Sequence, residues 1–192
     1  MPLLNSTTHY GAVTRFLHWA VFLLFVYQFL GANIMTRIAP GSTVFWLTQD
    51  DYYHWHKSAG LVLLALAIAR YAWRKLTPLP DWAPTLTPVE RAISHRNETL
   101  LYVCMFLLPV SGYLFVMAGG YGIKLFGWHD LFNPMDKREW LAGLARVVHI
   151  VTAYTVLIII AWHVGLGLKR HLFDRDGFLY RMLPSFGKKA RR

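Results

Sequence analysis

The chain has 192 residues, and its composition is that of a membrane protein. Hydrophobic residues make up 55% of it and charged residues only 16%, against about 25% in a typical soluble domain, which excludes an intrinsically disordered chain. The formal net charge is +10, and in so apolar a chain basic membrane flanks explain it better than nucleic-acid binding. The single cysteine, Cys104, excludes an intrachain disulfide and a cysteine-ligated metal cluster.

Four apolar stretches are long enough to cross a bilayer as helices, which takes about 20 residues. In chain order they run over about 16–35, 54–73, 99–123 and 147–168. The first is too long for a signal peptide and lacks a small-residue cleavage pattern, so we expect it to be retained. Connectors rich in Pro or Gly separate the stretches. We therefore predict an all-α fold, an integral membrane four-helix bundle that forms a single domain over 1–192.

The distribution of basic residues predicts that both termini lie in the cytoplasm. With the N-terminus inside, 14 of the 20 Lys and Arg residues flank the inner ends of the spans. The C-terminal tail carries the strongest signal and ends in Lys188, Lys189, Arg191 and Arg192. Its charge is explained by topology together with attraction to anionic lipid. The six basic residues outside are Arg37, Lys57, Lys124, Lys137, Arg138 and Arg146.

Apart from His54, which begins the second predicted span, four of the nine histidines lie inside the spans, where an ionisable side chain is costly to bury. His56 and His149 fall near the outer ends of their spans, and His18 and His163 near the inner ends. His149 and His163 share one helix, and the 14 residues between them are about 40° short of four turns. Both side chains therefore point the same way, about 21 Å apart along the axis. One helix can present two ligands to the bundle, and two other helices provide one partner each.

Two histidines at each of two depths favour axial ligation of two haems over a zinc site, which takes four ligands at one level. The chain has no Cys-x-x-Cys-His motif, so we expect non-covalent haem b. His54 competes with His56, because two residues turn a helix by about 200° and only one of them can face the interior. The small residues Ser58, Ala59 and Gly60 leave room for a macrocycle and favour His56.

Four basic side chains near these histidines are candidates to neutralise haem propionates. Arg15 and Arg70 lie at the inner level, and Lys57 and Arg146 flank the outer ligands. The alternative for each is that it snorkels to phosphate head groups.

Several segments resemble the bacterial cytochrome b561 family over nearly the whole chain. They are Arg15-Phe16-Leu17-His18-Trp19, His56-Lys57-Ser58-Ala59-Gly60, Leu108-Pro109-Val110-Ser111-Gly112, the His149/His163 spacing and Arg181-Met182-Leu183-Pro184. The resemblance implies a multi-pass protein of the bacterial inner membrane, with His18, His56, His149 and His163 as the axial ligands. Within the family, the superoxide oxidase type implies respiratory electron transport from superoxide at the outer face, through two haems, to ubiquinone. The outer loops carry six basic and five acidic residues, so their bulk charge does not itself favour a small anion.

Two other functions stay open at this stage. The chain could be the haem b subunit of a larger membrane dehydrogenase or hydrogenase complex. It could also be a haem-free transporter or adaptor. Under that hypothesis, the matched depths of the four histidines would be a coincidence. The expected partners are the lipid bilayer, quinone and a small redox donor such as superoxide, with no nucleic acid. The sequence leaves open a homodimer or a redox partner subunit.

Overall fold

The computed structural model describes residues 2–82 and 85–183, and most of them are helical. The four long helices are α1 (Ala12–Met35), α2 (Gln49–Leu76), α3 (Pro88–Ala118) and α4 (Glu139–Lys169). An antiparallel hairpin of β1 (Ile123–Leu125) and β2 (His129–Leu131) lies between α3 and α4, and α4 continues into a π-helical turn (Arg170–Asp174) and a 3-10 turn (Phe178–Arg181). The prediction of a mostly helical fold is confirmed. Some residues used in the predictions lie outside the described residues: Pro84, Pro184, Lys188, Lys189, Arg191 and Arg192.

Capping boxes start two of the helices earlier than the apolar stretches suggested. The Thr48 hydroxyl accepts a hydrogen bond from the Asp51 backbone N–H (3.2 Å), and the Asp51 carboxylate accepts one from the Thr48 N–H (2.9 Å). Thr87 and Glu90 repeat the arrangement at the start of α3. These side chains satisfy N–H groups that have no partner inside the helix, so α2 and α3 extend into polar sequence.

The end of the third helix was predicted too late. α3 ends at Ala118 rather than near residue 123, and Gly120 then adopts a φ of +74°, which glycine tolerates without a steric penalty. Ile123 begins β1, where it pairs with Leu131. The apolar residues after the turn therefore belong to a short hairpin that hydropathy alone could not distinguish from helix.

Three helices in the described part of the chain are long and apolar enough to span a membrane: α1, α3, and α4 with its π-helical continuation. α2 does not meet that description, because charged residues occupy both of its ends, so its membrane crossing stays a prediction. Much of the apolar surface of α4 faces outward, including Val151 (58% exposed) and Ile158 (72% exposed). An apolar surface of this kind is typical of a helix that faces lipid.

Neighbouring helices in the chain pack against each other, while α1 and α4 make little direct contact. One buried cluster joins α1, α2 and α3 through Val21, Leu63, Ala67 and Met105. A second cluster, which contains Met117 and Ile123, attaches the hairpin to the C-terminal end of α3. α4 makes little direct contact with α2 as well, so the apolar core leaves a seam between α4 on one side and α1 and α2 on the other, and the site described below occupies it.

Candidate functional site

Two pairs of histidines face each other across the seam. We name the two levels outer and inner after the predicted topology. The rings of His56 (α2) and His149 (α4) form the outer level, with their centres 6.2 Å apart and their planes at 86°. The rings of His18 (α1) and His163 (α4) form the inner level, with their centres also 6.2 Å apart and their planes at 46°. The four histidines selected by depth in the sequence are therefore brought together in the expected pairs, and α4 contributes to both.

The outer level adjoins a cavity of about 1060 Å³ that is lined by residues of all four helices. Glycines keep α2 and α3 close to it. A Cβ atom added at Gly112 would lie 2.8 Å from Cε1 of His149, and one added at Gly60 would lie 3.2 Å from Nε2 of Gln28. Only a residue without a side chain lets α3 approach the His149 ring this closely.

A backbone carbonyl fixes which nitrogen of His149 carries the proton. Nδ1 of His149 lies 2.8 Å from the Leu108 carbonyl oxygen, which can only accept a hydrogen bond. Nδ1 must therefore donate, and in the neutral ring Nε2 keeps a free lone pair. Ser111 adds to this contact, because its hydroxyl donates to the same carbonyl at 2.9 Å and lies 3.4 Å from Nδ1.

His56 is held through its backbone rather than through its ring. Gln28, a buried polar residue of α1, donates from Nε2 to the His56 carbonyl oxygen at 2.9 Å. Nδ1 of His56 is buried and has no hydrogen-bond partner within the ranges that the structure describes. His54, the competing candidate, also lines the cavity, but the ring that faces His149 is that of His56.

Charged side chains at the outer ends of the helices line the same cavity. Lys57 donates from Nζ to the Gly122 carbonyl oxygen at 3.0 Å, and Arg146 lines the cavity from α4. Arg37 and Asp50 are the other charged residues of the lining. Three cations and one carboxylate therefore border the space beside the outer level.

Arg70 contacts the inner level directly. Its Nη2 lies 3.1 Å from Nδ1 of His18, and its guanidinium lies over the Tyr102 ring at 5.8 Å from the ring centre. Its other terminal nitrogen, Nη1, is buried without a hydrogen-bond partner among the described residues. His163 is exposed along the seam. A cavity of about 60 Å³ adjoins Arg70 and extends to Glu98, which Arg74 engages through two hydrogen bonds of 2.8 and 2.9 Å.

The segment after α4 folds back beneath α1 at the inner end. The Trp19 indole donates from Nε1 to the Met182 carbonyl oxygen at 2.8 Å. Arg15, one of the predicted propionate partners, donates to the Leu183 carbonyl oxygen at 3.3 Å. Of the four basic candidates, Arg70 alone has a hydrogen bond to one of the paired histidines within the described part of the chain.

The sequence analysis missed the contacts that orient the rings. Gln28 carried a usable signal, because a polar residue in the middle of an apolar span needs a partner. The contact with the Leu108 carbonyl left no signal in the sequence, because any residue at that position provides the same backbone oxygen.

Comparison with known proteins places these residues in a family context. The family model described as prokaryotic cytochrome b561 matches residues 9–185. Cytochrome b561 homolog 2 of Escherichia coli (strain K12) is 28% identical over 187 residues, which are 95% of this chain and 95% of that protein. A probable superoxide oxidase of Yersinia pestis, CybB, is 24% identical over 177 residues, which are 91% of this chain and 96% of that protein.

Proposed function

The chain belongs to the prokaryotic cytochrome b561 family, and we propose that it carries electrons between the two faces of the membrane through two haems. Membership makes it a protein of the bacterial inner membrane that binds b-type haem and takes part in electron transport. The proposal adds the number of haems and their ligands. His56 and His149 hold one haem at the outer level, and His18 and His163 hold the other at the inner level.

The equal separation of the two ring pairs carries the proposal. A metal–imidazole bond is about 2.0 Å long and the ring centre lies roughly 1.1 Å behind the nitrogen, so two imidazoles that held one metal ion between them would have ring centres about 6.2 Å apart. Both pairs have this separation. The cavity beside the outer pair, about 1060 Å³, is at the upper end of the usual size of cofactor sites.

The same residues support outer-sphere electron transfer. A haem held between each pair of histidines would supply one-electron redox chemistry. Leu108 and Ser111 hold the His149 ring in one tautomer and one orientation, which limits the reorganisation that an electron transfer requires. The glycines at 60 and 112 keep the space beside the rings open.

The side of the membrane on which each level lies follows from the predicted topology, and the proposed donor then gives the direction of electron transfer. With both termini in the cytoplasm, the outer level faces the periplasm and the inner level faces the cytoplasmic side. Superoxide is the proposed donor, since one relative is named a probable superoxide oxidase and three cations border the outer cavity. A small anion is attracted by a local positive potential of this kind. Membrane ubiquinone is the proposed acceptor.

Two measurements on the full chain test the proposal. A dithionite-reduced minus oxidised spectrum of membranes should show a b-type signal, with two haems per chain by pyridine haemochrome assay. Replacing His149 by Ala should remove one haem, while His129→Ala, a matched change in the exposed hairpin, should remove none. A preparation with normal protein levels and no b-type signal would contradict the haem assignment.

Stopped-flow reduction of the haems by superoxide, with and without added ubiquinone, tests the donor and the acceptor. Rapid reduction by superoxide and reoxidation by ubiquinone are expected. Two bound haems that superoxide does not reduce would rule out this donor. Co-purification of a large dehydrogenase that does reduce them would instead favour a role as a haem subunit.

A further inference from the structure

We infer that the two levels fill in order, the outer one first, and that the inner one fills only after Arg70 releases His18. The inference rests on the proposed function, since it takes haem to be the ligand of both pairs. Its basis is a difference between two hydrogen bonds. Nδ1 of His149 donates to a backbone carbonyl, whereas Nδ1 of His18 accepts from a guanidinium.

The outer level is ready to bind a metal as it stands. The Leu108 carbonyl accepts from Nδ1 of His149 at 2.8 Å, so the proton is on Nδ1 and the lone pair of Nε2 is free. Metal-ligating histidines usually donate their second ring N–H to a carbonyl or carboxylate in this way. The cavity beside this ring is already open. A preformed site avoids the free-energy cost of rearrangement on binding.

The inner level is in the opposite state. A guanidinium has donors and no acceptor, so Nδ1 of His18 must accept from Nη2 of Arg70 at 3.1 Å. In the neutral ring the proton is then on Nε2. One ring nitrogen is occupied by Arg70 and the other by its own hydrogen, so neither offers a lone pair to iron. Arg70 must move before His18 can ligate.

Arg70 itself indicates what would move it. Its Nη1 is buried without a partner in the described ranges, which is costly for a charged donor. The carboxylate of Glu98 lines the same small cavity as Arg70, but Arg74 holds it through two hydrogen bonds. A carboxylate brought by the ligand can accept from both terminal nitrogens of a guanidinium at once. Haem carries two propionates, so its arrival provides the anion that draws Arg70 away from His18.

The test separates release of His18 from simple charge attraction by comparing haem with its dimethyl ester, which has no carboxylate. The full chain is prepared in detergent without haem, in a His149→Ala background that leaves only the inner pair. Both probes are titrated into two proteins with this background, one that keeps Arg70 and one that carries Arg70→Met, and the Soret band is the readout. Lys75→Met, on the same helix, is the matched control.

The ester should bind the inner pair about tenfold or more tightly when Arg70 is replaced by Met, because one hydrogen bond to a charged group no longer has to break. Both probes are kept ferrous with dithionite, so the ester carries no net charge and charge attraction alone predicts no gain for it. Arg70→Lys, which still donates and still pairs with a carboxylate, should behave like the parent. Equal or weaker binding of the ester to Arg70→Met would overturn the inference. If Arg70→Met loses its helical circular dichroism, Arg70→Leu replaces it, since a leucine side chain cannot donate to Nδ1.

The filling order is measured in the chain without substitutions. The first equivalent of haem should give the spectrum of His163→Ala, which keeps only the outer pair, and the second equivalent should add the spectrum of the inner pair. A first equivalent that spreads evenly or fills the inner pair would overturn the inference while leaving the two-haem proposal intact. Absence of a bis-imidazole spectrum from both single-level variants would instead remove the proposed function, and the inference with it.

Discussion

Gly112 is the residue at which one added methyl group should disturb the outer level most selectively. The Cβ of an alanine there would lie 2.8 Å from Cε1 and 3.0 Å from Nδ1 of His149. Contacts this short require the ring or the helix to shift. The ring cannot turn freely, because its Nδ1–H is committed to the Leu108 carbonyl at 2.8 Å. We therefore expect Gly112→Ala to displace the ring from its place opposite His56.

The size of the effect follows from two opposing contributions. Overpacking by one methyl group costs about 1–3 kcal/mol, so haem binding at the outer level should weaken by about 5- to 150-fold. Replacing a helical glycine by alanine stabilises the helix itself by about 1 kcal/mol, so the global stability should change little. A local loss of haem with a nearly unchanged unfolding transition is the expected signature.

The assay is haem content and the reduced-minus-oxidised spectrum of the purified chain, together with thermal unfolding. Gly143→Ala is the matched control, because Gly143 lies on α4 and an added Cβ there meets nothing within 4 Å. The control should retain both haems. Retention of both haems with unchanged spectra by Gly112→Ala would refute the view that α3 must approach the ring as closely as a glycine allows.

Three further changes give simpler expectations. His163→Ala should remove the inner haem and keep the outer one, measured as one haem per chain in place of two. Ser58→Ala should destabilise the hairpin by about 1–3 kcal/mol, because the buried hydroxyl accepts from the Phe126 N–H at 2.7 Å, and hydrogen exchange at that amide should increase. Lys57→Gln should slow the reduction of the haems by superoxide at low ionic strength and flatten its salt dependence, because a cation that borders the outer cavity is lost. An unchanged salt dependence would argue against Lys57 as a steering charge.

The pairing of the histidines could be predicted because it depends on helix geometry alone. The rise and turn per residue place His149 and His163 on one face of any straight helix, and the chain direction fixes the depth of their partners. The hairpin could not be predicted in this way, because Ile123 and Leu125 are as apolar as the helix before them. Their separation from α3 depends on the positive φ of Gly120, and a sequence of glycines does not reveal which of them turns the chain.

The orientation of each ring depends on tertiary contacts that a residue pattern does not contain. Arg70 follows His56 by 14 residues, which on a helix puts it on a similar face at the inner level. The same reasoning directed Arg70 to a propionate, which stays a prediction, and it did not identify the contact with His18 that the structure has. Both partners are within reach of one flexible side chain. Sequence spacing can therefore identify the level of a cation without identifying the atom it contacts.

The packing of the four helices explains why the site belongs to the seam. Apolar contacts join α1 to α2, α2 to α3 and α3 to α4, so the chain order itself builds an incomplete ring. The contact between His18 and His163 bridges α1 and α4 at the inner end, and the segment that ends at Leu183 reaches α1 beneath it. A ligand held between these histidines would therefore connect the first helix to the last. In that arrangement a cofactor would take the place that side chains occupy at the other three helix interfaces.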